Sequence, residues 1–186
     1  MLYVIIAVVV LVLLVGFFVV GFNKLRKSDV GAQEALGGID VQLTRRAELI
    51  PNLVQTVKGY AAHEKDVLEE VTKARTGVQA AAAGDSVPAK AAADAALQQA
   101  LVKVNAVAES YPDLKANQNF LDLQKQLGQT EDQIAFARQY YNDAVRELNQ
   151  SVRTIPWMMF AGVAGVKERE FYDAPAANEA APGVEF

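Results

Sequence analysis

The sequence predicts an all-α fold: an N-terminal transmembrane helix followed by a long-helix up-and-down bundle, with three long helices plus a short C-terminal fourth. Three observations over 186 residues predict it. Leu2 to Phe22 is an unbroken apolar run. Ile39, Leu43, Arg46, Ile50, Leu53, Val57, Tyr60 and Glu64 alternate steps of four and three, which puts all eight on one stripe of a helix. A second such stripe runs from Phe120 to Ile155, and neither can be buried by its own helix, so each needs partner helices.

The apolar run comes first. Twenty-one residues at helical rise span roughly 30 Å, the thickness of a hydrocarbon layer. Seventeen of them are Leu, Ile, Val or Phe, a composition that favours insertion. A secretory signal peptide is the rival, and it fails because no basic residue precedes the run, the run is long for such a peptide, and no A-x-A site follows. The anchor is represented by Leu2, Val9, Phe18 and Phe22, with Lys24, Arg26 and Lys27 behind them. By the positive-inside rule this cluster puts the amino terminus outside and the folded domain in the cytoplasm. It also attracts anionic lipid.

Residues 24–38 continue in helical composition with Gly31, Gly37 and Gly38 as weak points, which predicts a hinge; a continuous helix is the alternative. The first long bundle helix is expected to run from Ile39 through Val67, Val71 and Ala74. Pro51 lies in mid-stripe, where it removes one donor and crowds the Ala47 carbonyl, so a kink is expected there without a break. Gly84, Asp85, Ser86 and Pro88 mark a turn, with Ser86 as N-cap. A helix from Val87 to Ser110 buries Leu97, Leu101, Val104, Ala108 and Tyr111, and Pro112 ends it.

The third helix carries Phe120, Leu123, Leu127, Glu131, Ile134, Arg138, Tyr141, Val145, Leu148, Val152 and Ile155, and stops at Pro156. It is expected to run parallel to the first, with Arg46 opposite Gln126 and Glu64 opposite Ala144. Each stripe holds a cation and an anion, so Arg46, Glu64, Glu131 and Arg138 are candidate core charge pairs that fix register more than they stabilise, because desolvation offsets the Coulomb gain. Snorkelling to the interface edge is the plainer reading. Trp157, Met158, Met159 and Phe160 begin a segment too short to span a bilayer. It is expected to cap the bundle or to serve as an apolar interaction surface. Residues 173–186 are expected to form a mobile tail, which leaves 1–23 as transmembrane helix, 24–38 as connector and 39–172 as bundle.

The blocks IDVQLTRRAELIPNLVQTVKGYAAHE, YPDLKANQNFLDLQKQL and TEDQIAFARQYYNDAVRELN, in this order, resemble the LemA family of bacterial membrane-anchored helical proteins. The resemblance covers nearly all of the chain beyond the anchor. It implies a fold and no defined reaction.

The net charge of -4 argues against a nucleic-acid partner, since that binding rests on neutralising phosphates. The chain has no cysteine, so disulfides, thiolate sites and lipoprotein anchoring are ruled out. His63, the one histidine, lacks a second histidine four residues on, where Val67 stands. No catalytic, cofactor-binding or metal-binding residues are expected. Two functions follow: a single-pass scaffold whose cytoplasmic bundle forms homo-oligomers to organise or shape the membrane, and an adaptor that docks a membrane-protein partner such as a membrane protease or an envelope-stress component.

Overall fold

The computed structural model describes residues 1–172; the expected mobile tail, 173–186, lies outside the described residues. The helices are α1 (Leu2–Tyr60), α2 (Lys65–Ala82), α3 (Val87–Ser110), α4 (Pro112–Lys115), α5 (Gln118–Arg153) and α6 (Met158–Ala164), with no strand among the described residues. They make two compact units. One holds Met1–Gly37 and Gln139–Phe171; the other holds Gly38–Arg138 and Tyr172.

In the second unit, α1 residues 38–60, α2, α3 and the first part of α5 form an up-down-up-down four-helix bundle. The directions follow from side-chain partners. Arg75 of α2 reaches Ala47, so α2 returns along α1. Asp40 meets Lys90 and Glu64 meets Tyr111, so α3 runs with α1. Asn117 donates to the Tyr60 hydroxyl at 2.9 Å and Arg46 meets Glu131, so α5 runs against α1. The expected parallel pairing, with Arg46 opposite Gln126 and Glu64 opposite Ala144, is therefore corrected.

The cause of that difference is a chain reversal at 61–64. The apolar phase passes through this segment without interruption, yet the helix stops at Tyr60 and restarts at Lys65. Folding α2 back buries Leu68, Val71 and Val78, which a straight continuation would leave exposed. Against them lie Ile39, Leu43, Ala47, Ile50, Leu53 and Val57 of α1, Leu97 and Val104 of α3, and Phe120 and Ile134 of α5, all buried. Tyr60, at the helix end, is half exposed.

Pro51 sits inside α1 without breaking it. Lacking an N–H, it leaves the Ala47 carbonyl without its helical donor. The guanidinium of Arg75 supplies the missing bond, Nε to the carbonyl oxygen at 3.1 Å. Ser86 caps α3 by accepting from the Ala89 amide at 3.3 Å.

In the first unit, α1 is one helix through Gly31 and Gly37, the alternative to a break at these glycines. Leu25, Ala32, Ala35 and Leu36 bury one face of this stretch and offset the entropic cost of the glycines. Tyr141, Val145 and Leu148 of α5 are buried here, whereas Ile155, beyond the helix end, is exposed rather than part of the stripe. The segment after α6 is tied down by a two-bond clamp: Asn149 accepts from the Arg169 amide and donates to the Arg169 carbonyl, each at 2.9 Å. Tyr141 donates to the Glu170 carbonyl at 2.8 Å. Arg169 in turn reaches Asp29 at 2.9 Å and Gln33 at 2.8 Å on α1.

Candidate functional site

The chemistry of the bundle is concentrated around Asp94 of α3. Its carboxylate accepts from Arg46 of α1 at 3.0 Å and from Arg138 of α5, and its side chain is 2% exposed. Glu131 Oε2 lies 2.6 Å from the Arg46 guanidinium, an ion pair off the hydrogen-bonding direction, and Glu131 Oε1 is 4.0 Å from Arg138. Two cations thus face two anions, and the formal charge of the group is zero. Tyr172 closes it, 4% exposed, with its ring 5.4 Å from the Arg138 guanidinium. Burial, with the Asp94 carboxylate as the next contribution, pushes the Tyr172 phenol far above the ordinary tyrosine range, so it stays protonated.

Of the residues proposed as core charge pairs, Arg46, Glu131 and Arg138 stand together. Glu64 does not join them. It lies at the start of α2 and accepts from the Tyr111 hydroxyl at 3.1 Å. That contact raises the Tyr111 pKa, because the phenol proton is held by the carboxylate. Asp94 was the missed residue, and its signal is positional: Lys90 and Asp94 continue, at helical steps, the phase of Leu97, Leu101 and Val104. A charge in that phase inside an alanine-rich helix has to find a partner or remain unpaired in the core. Lys90 has done the same. Its ammonium is fully buried, pairs with Asp40 and donates to the Ala82 carbonyl at 3.2 Å. Desolvation raises the Asp40 pKa despite Lys90.

A cleft of about 280 Å³ opens beside the cluster, lined by Arg46, Gln98, Asn105, Gln124, Gly128 and Glu131 among others. Gln124 donates across it to Asn105 at 3.1 Å. The cluster can hold α1, α3 and α5 in one register. Among the described residues no group of three His, Cys, Asp or Glu side chains is placed to bind a metal ion, and His63 is exposed in the reversal at 61–64.

The second candidate region is in the other unit. Phe160 of α6 packs on Phe17 and Phe18 with centroids 5.4 and 5.6 Å away, over the bare backbone of Gly21. Trp157 stacks near Phe17 at 6.2 Å, and the Lys24 ammonium stands 4.4 Å from the Trp157 ring centroid. Met158 and Met159 face outward. Leu2 and Val9 of the apolar run are exposed along α1, and this helix is long and apolar enough to cross a membrane.

A family model described as the LemA family matches residues 35–186. The chain belongs to the LemA family. Two relatives, Magnetosome protein MamQ 1 and MamQ 2 of Paramagnetospirillum magneticum, are each 25% identical over 198 aligned positions, covering 94% of this chain and 73% of theirs. Magnetosome protein MamQ of Magnetospirillum gryphiswaldense is 26% identical over 197 positions, covering 93% and 72%. The matched region of this LemA-family chain takes in Arg46, Asp94, Glu131, Arg138 and Tyr172, and it begins beyond the apolar run. With that run at its amino terminus, the chain is a membrane-associated LemA-family protein.

Proposed function

We propose that this protein is a non-enzymatic, single-pass scaffold of the bacterial inner membrane, whose helical bundle associates with further copies of itself to organise or shape that membrane. The basic cluster Lys24, Arg26 and Lys27 directly behind the apolar run supports an outward amino terminus and a cytoplasmic bundle. The same residues suit anionic lipid, while the net charge of -4 disfavours nucleic acid. The charge-balanced cluster around Asp94 suits a rigid bundle better than a reactive centre, since each carboxylate is already engaged by arginine.

The observation that carries the proposal is a pair of large apolar side chains exposed on the outside of the bundle. Arg45 of α1 donates to Gln133 of α5 at 3.3 Å, which fixes the antiparallel register and brings Val41 level with Phe136, one turn away along each helix. Val41 is 63% exposed and Phe136 is 73% exposed. Apolar side chains of this size, left on the outside of two neighbouring helices, are suited to a contact between copies.

The cysteine-free chain allows a direct test. Phe136→Cys and Val41→Cys variants of the full-length protein, oxidised in native membranes, are expected to give covalent dimers, whereas Glu69→Cys on the polar face of α2 gives far fewer. Equal yields from all three, or monomers throughout, would overturn the proposal.

A further inference from the structure

Among the described residues, the outer face of α6 has no protein partner in the unit that holds it. Phe160, Ala161 and Ala164 turn inward and are buried, while Met158, Met159 and Val163 on the opposite side are 47%, 71% and 66% exposed, and Ile155 just before the helix is 78% exposed. Gly165, at φ 66°, ends the helix in a left-handed cap, with the Val166 amide donating to the Ala161 carbonyl at 3.1 Å. The helix is therefore a defined element with two sides, one packed on α1 and one bare.

Where it packs on α1 is decisive. Its contacts are Phe17, Phe18 and Gly21, the last turns of the apolar run, and Lys24, the first charge after it. Gly21 is what permits the approach, for a Cβ there would stand 2.4 Å from a Phe160 ring carbon, well inside van der Waals contact. On a membrane-spanning α1, this is the level at which hydrocarbon gives way to headgroups. Trp157 sits there with an ammonium over its ring, and Lys24, Arg26 and Lys27 crowd the same level. Indole and lysine side chains are suited to that boundary, the first with an apolar body and a polar edge, the second with a stem long enough to reach the phosphates.

We propose that α6 is an interfacial helix, lying with Met158, Met159 and Val163 in the boundary layer of the same leaflet that the end of α1 occupies, so that each copy holds the bilayer at two places. The occupant of the bare face is lipid, because the apolar surface of α6 continues that of Phe17 and Phe18, and the lipid covering one reaches the other. A short helix inserted only at headgroup level occupies area in one leaflet alone, which biases the membrane toward curvature. The inference rests on α1 crossing the bilayer and does not depend on self-association of the bundle.

The test uses nitroxide labels on full-length Met159→Cys, Val163→Cys and Val9→Cys variants, reconstituted in vesicles of phosphatidylcholine and phosphatidylglycerol. Collision with oxygen, which concentrates in lipid, is compared with collision with a water-soluble nickel chelate. The expected result is strong oxygen preference at Val9, with a weaker but clear oxygen preference at Met159 and Val163. Oxygen preference at Val9 with free access of nickel to Met159 and Val163 would overturn the interfacial helix and leave the anchor standing. Shielding of Met159 from both reagents with broadening between labels would also overturn it, assigning the face to a second copy. Nickel access at Val9 would remove the anchor and the inference with it.

Discussion

Arg75 Nε donates to the carbonyl of Ala47 at 3.1 Å, taking the place of the amide that Pro51 lacks. A proline inside a helix interior ordinarily costs about 3 kcal/mol, part of it the orphaned carbonyl four residues earlier. Here a side chain from the returning helix α2 satisfies that carbonyl, so the defect in one helix becomes a bond between two.

Replacing Arg75 by Met is expected to cost about 1–3 kcal/mol, the range for leaving a buried acceptor without a donor. In a Pro51→Ala background the new amide reclaims the carbonyl, and the same change should cost much less. Denaturant unfolding of the four proteins measures the coupling; equal costs in both backgrounds would show that Arg75 does not serve this carbonyl.

Asp94→Ala removes the anion shared by Arg46 and Arg138 and leaves two guanidinium groups with Glu131 alone. The expected loss is about 3–5 kcal/mol, as for breaking a buried pair on one side. A simultaneous Arg46→Met change should recover part of it. Thermal unfolding followed by circular dichroism reads both effects.

The Asp40 carboxyl has its pKa raised by desolvation, with Lys90 opposing that shift. A carboxyl whose folded pKa lies above its unfolded value contributes stability that is fully present below the unfolded pKa, about 3.9, and is lost as pH rises through the folded value. Relative to Asp40→Asn, the natural protein should therefore be most favoured in acid and lose that margin as pH rises from about 4 through the folded pKa. A margin that grows with pH would contradict the shift.

Gly21→Val places a branched side chain where the Phe160 ring lies. Displacement of α6 should shift the emission of Trp157, the single tryptophan, to longer wavelength without loss of helix content. Gly16→Val, where a Cβ meets nothing within 4 Å, is the control and should leave the emission unchanged.

How much of this was legible in the sequence depends on what kind of signal each feature leaves. The apolar run and the stripes through Leu53 and Ile134 were legible because burial imposes a period, and both residues are buried. Ser86 was legible because a cap needs a side-chain acceptor at one position. The reversal at 61–64 was not, since Ala61, Ala62, His63 and Glu64 include neither proline nor glycine and the period survives across them. Missing it reversed the direction assigned to α5, and the wrong direction in turn concealed how Arg46 meets Glu131. Asp94 left a weaker trace, a charge in phase with Leu97, which becomes informative only once α3 is known to lie between α1 and α5. The docking of α6 on Gly21 left none, because nothing in Phe160 itself says which glycine it covers.

The proposed working part of this LemA-family protein is a surface shared between copies at a membrane, and the mass of the intact particle tests that proposal most directly. Native mass measurement of the full-length protein, released from lipid nanodiscs over a range of concentrations, is expected to give multiples of the 20.1 kDa chain. A single-chain mass at every concentration would contradict the account.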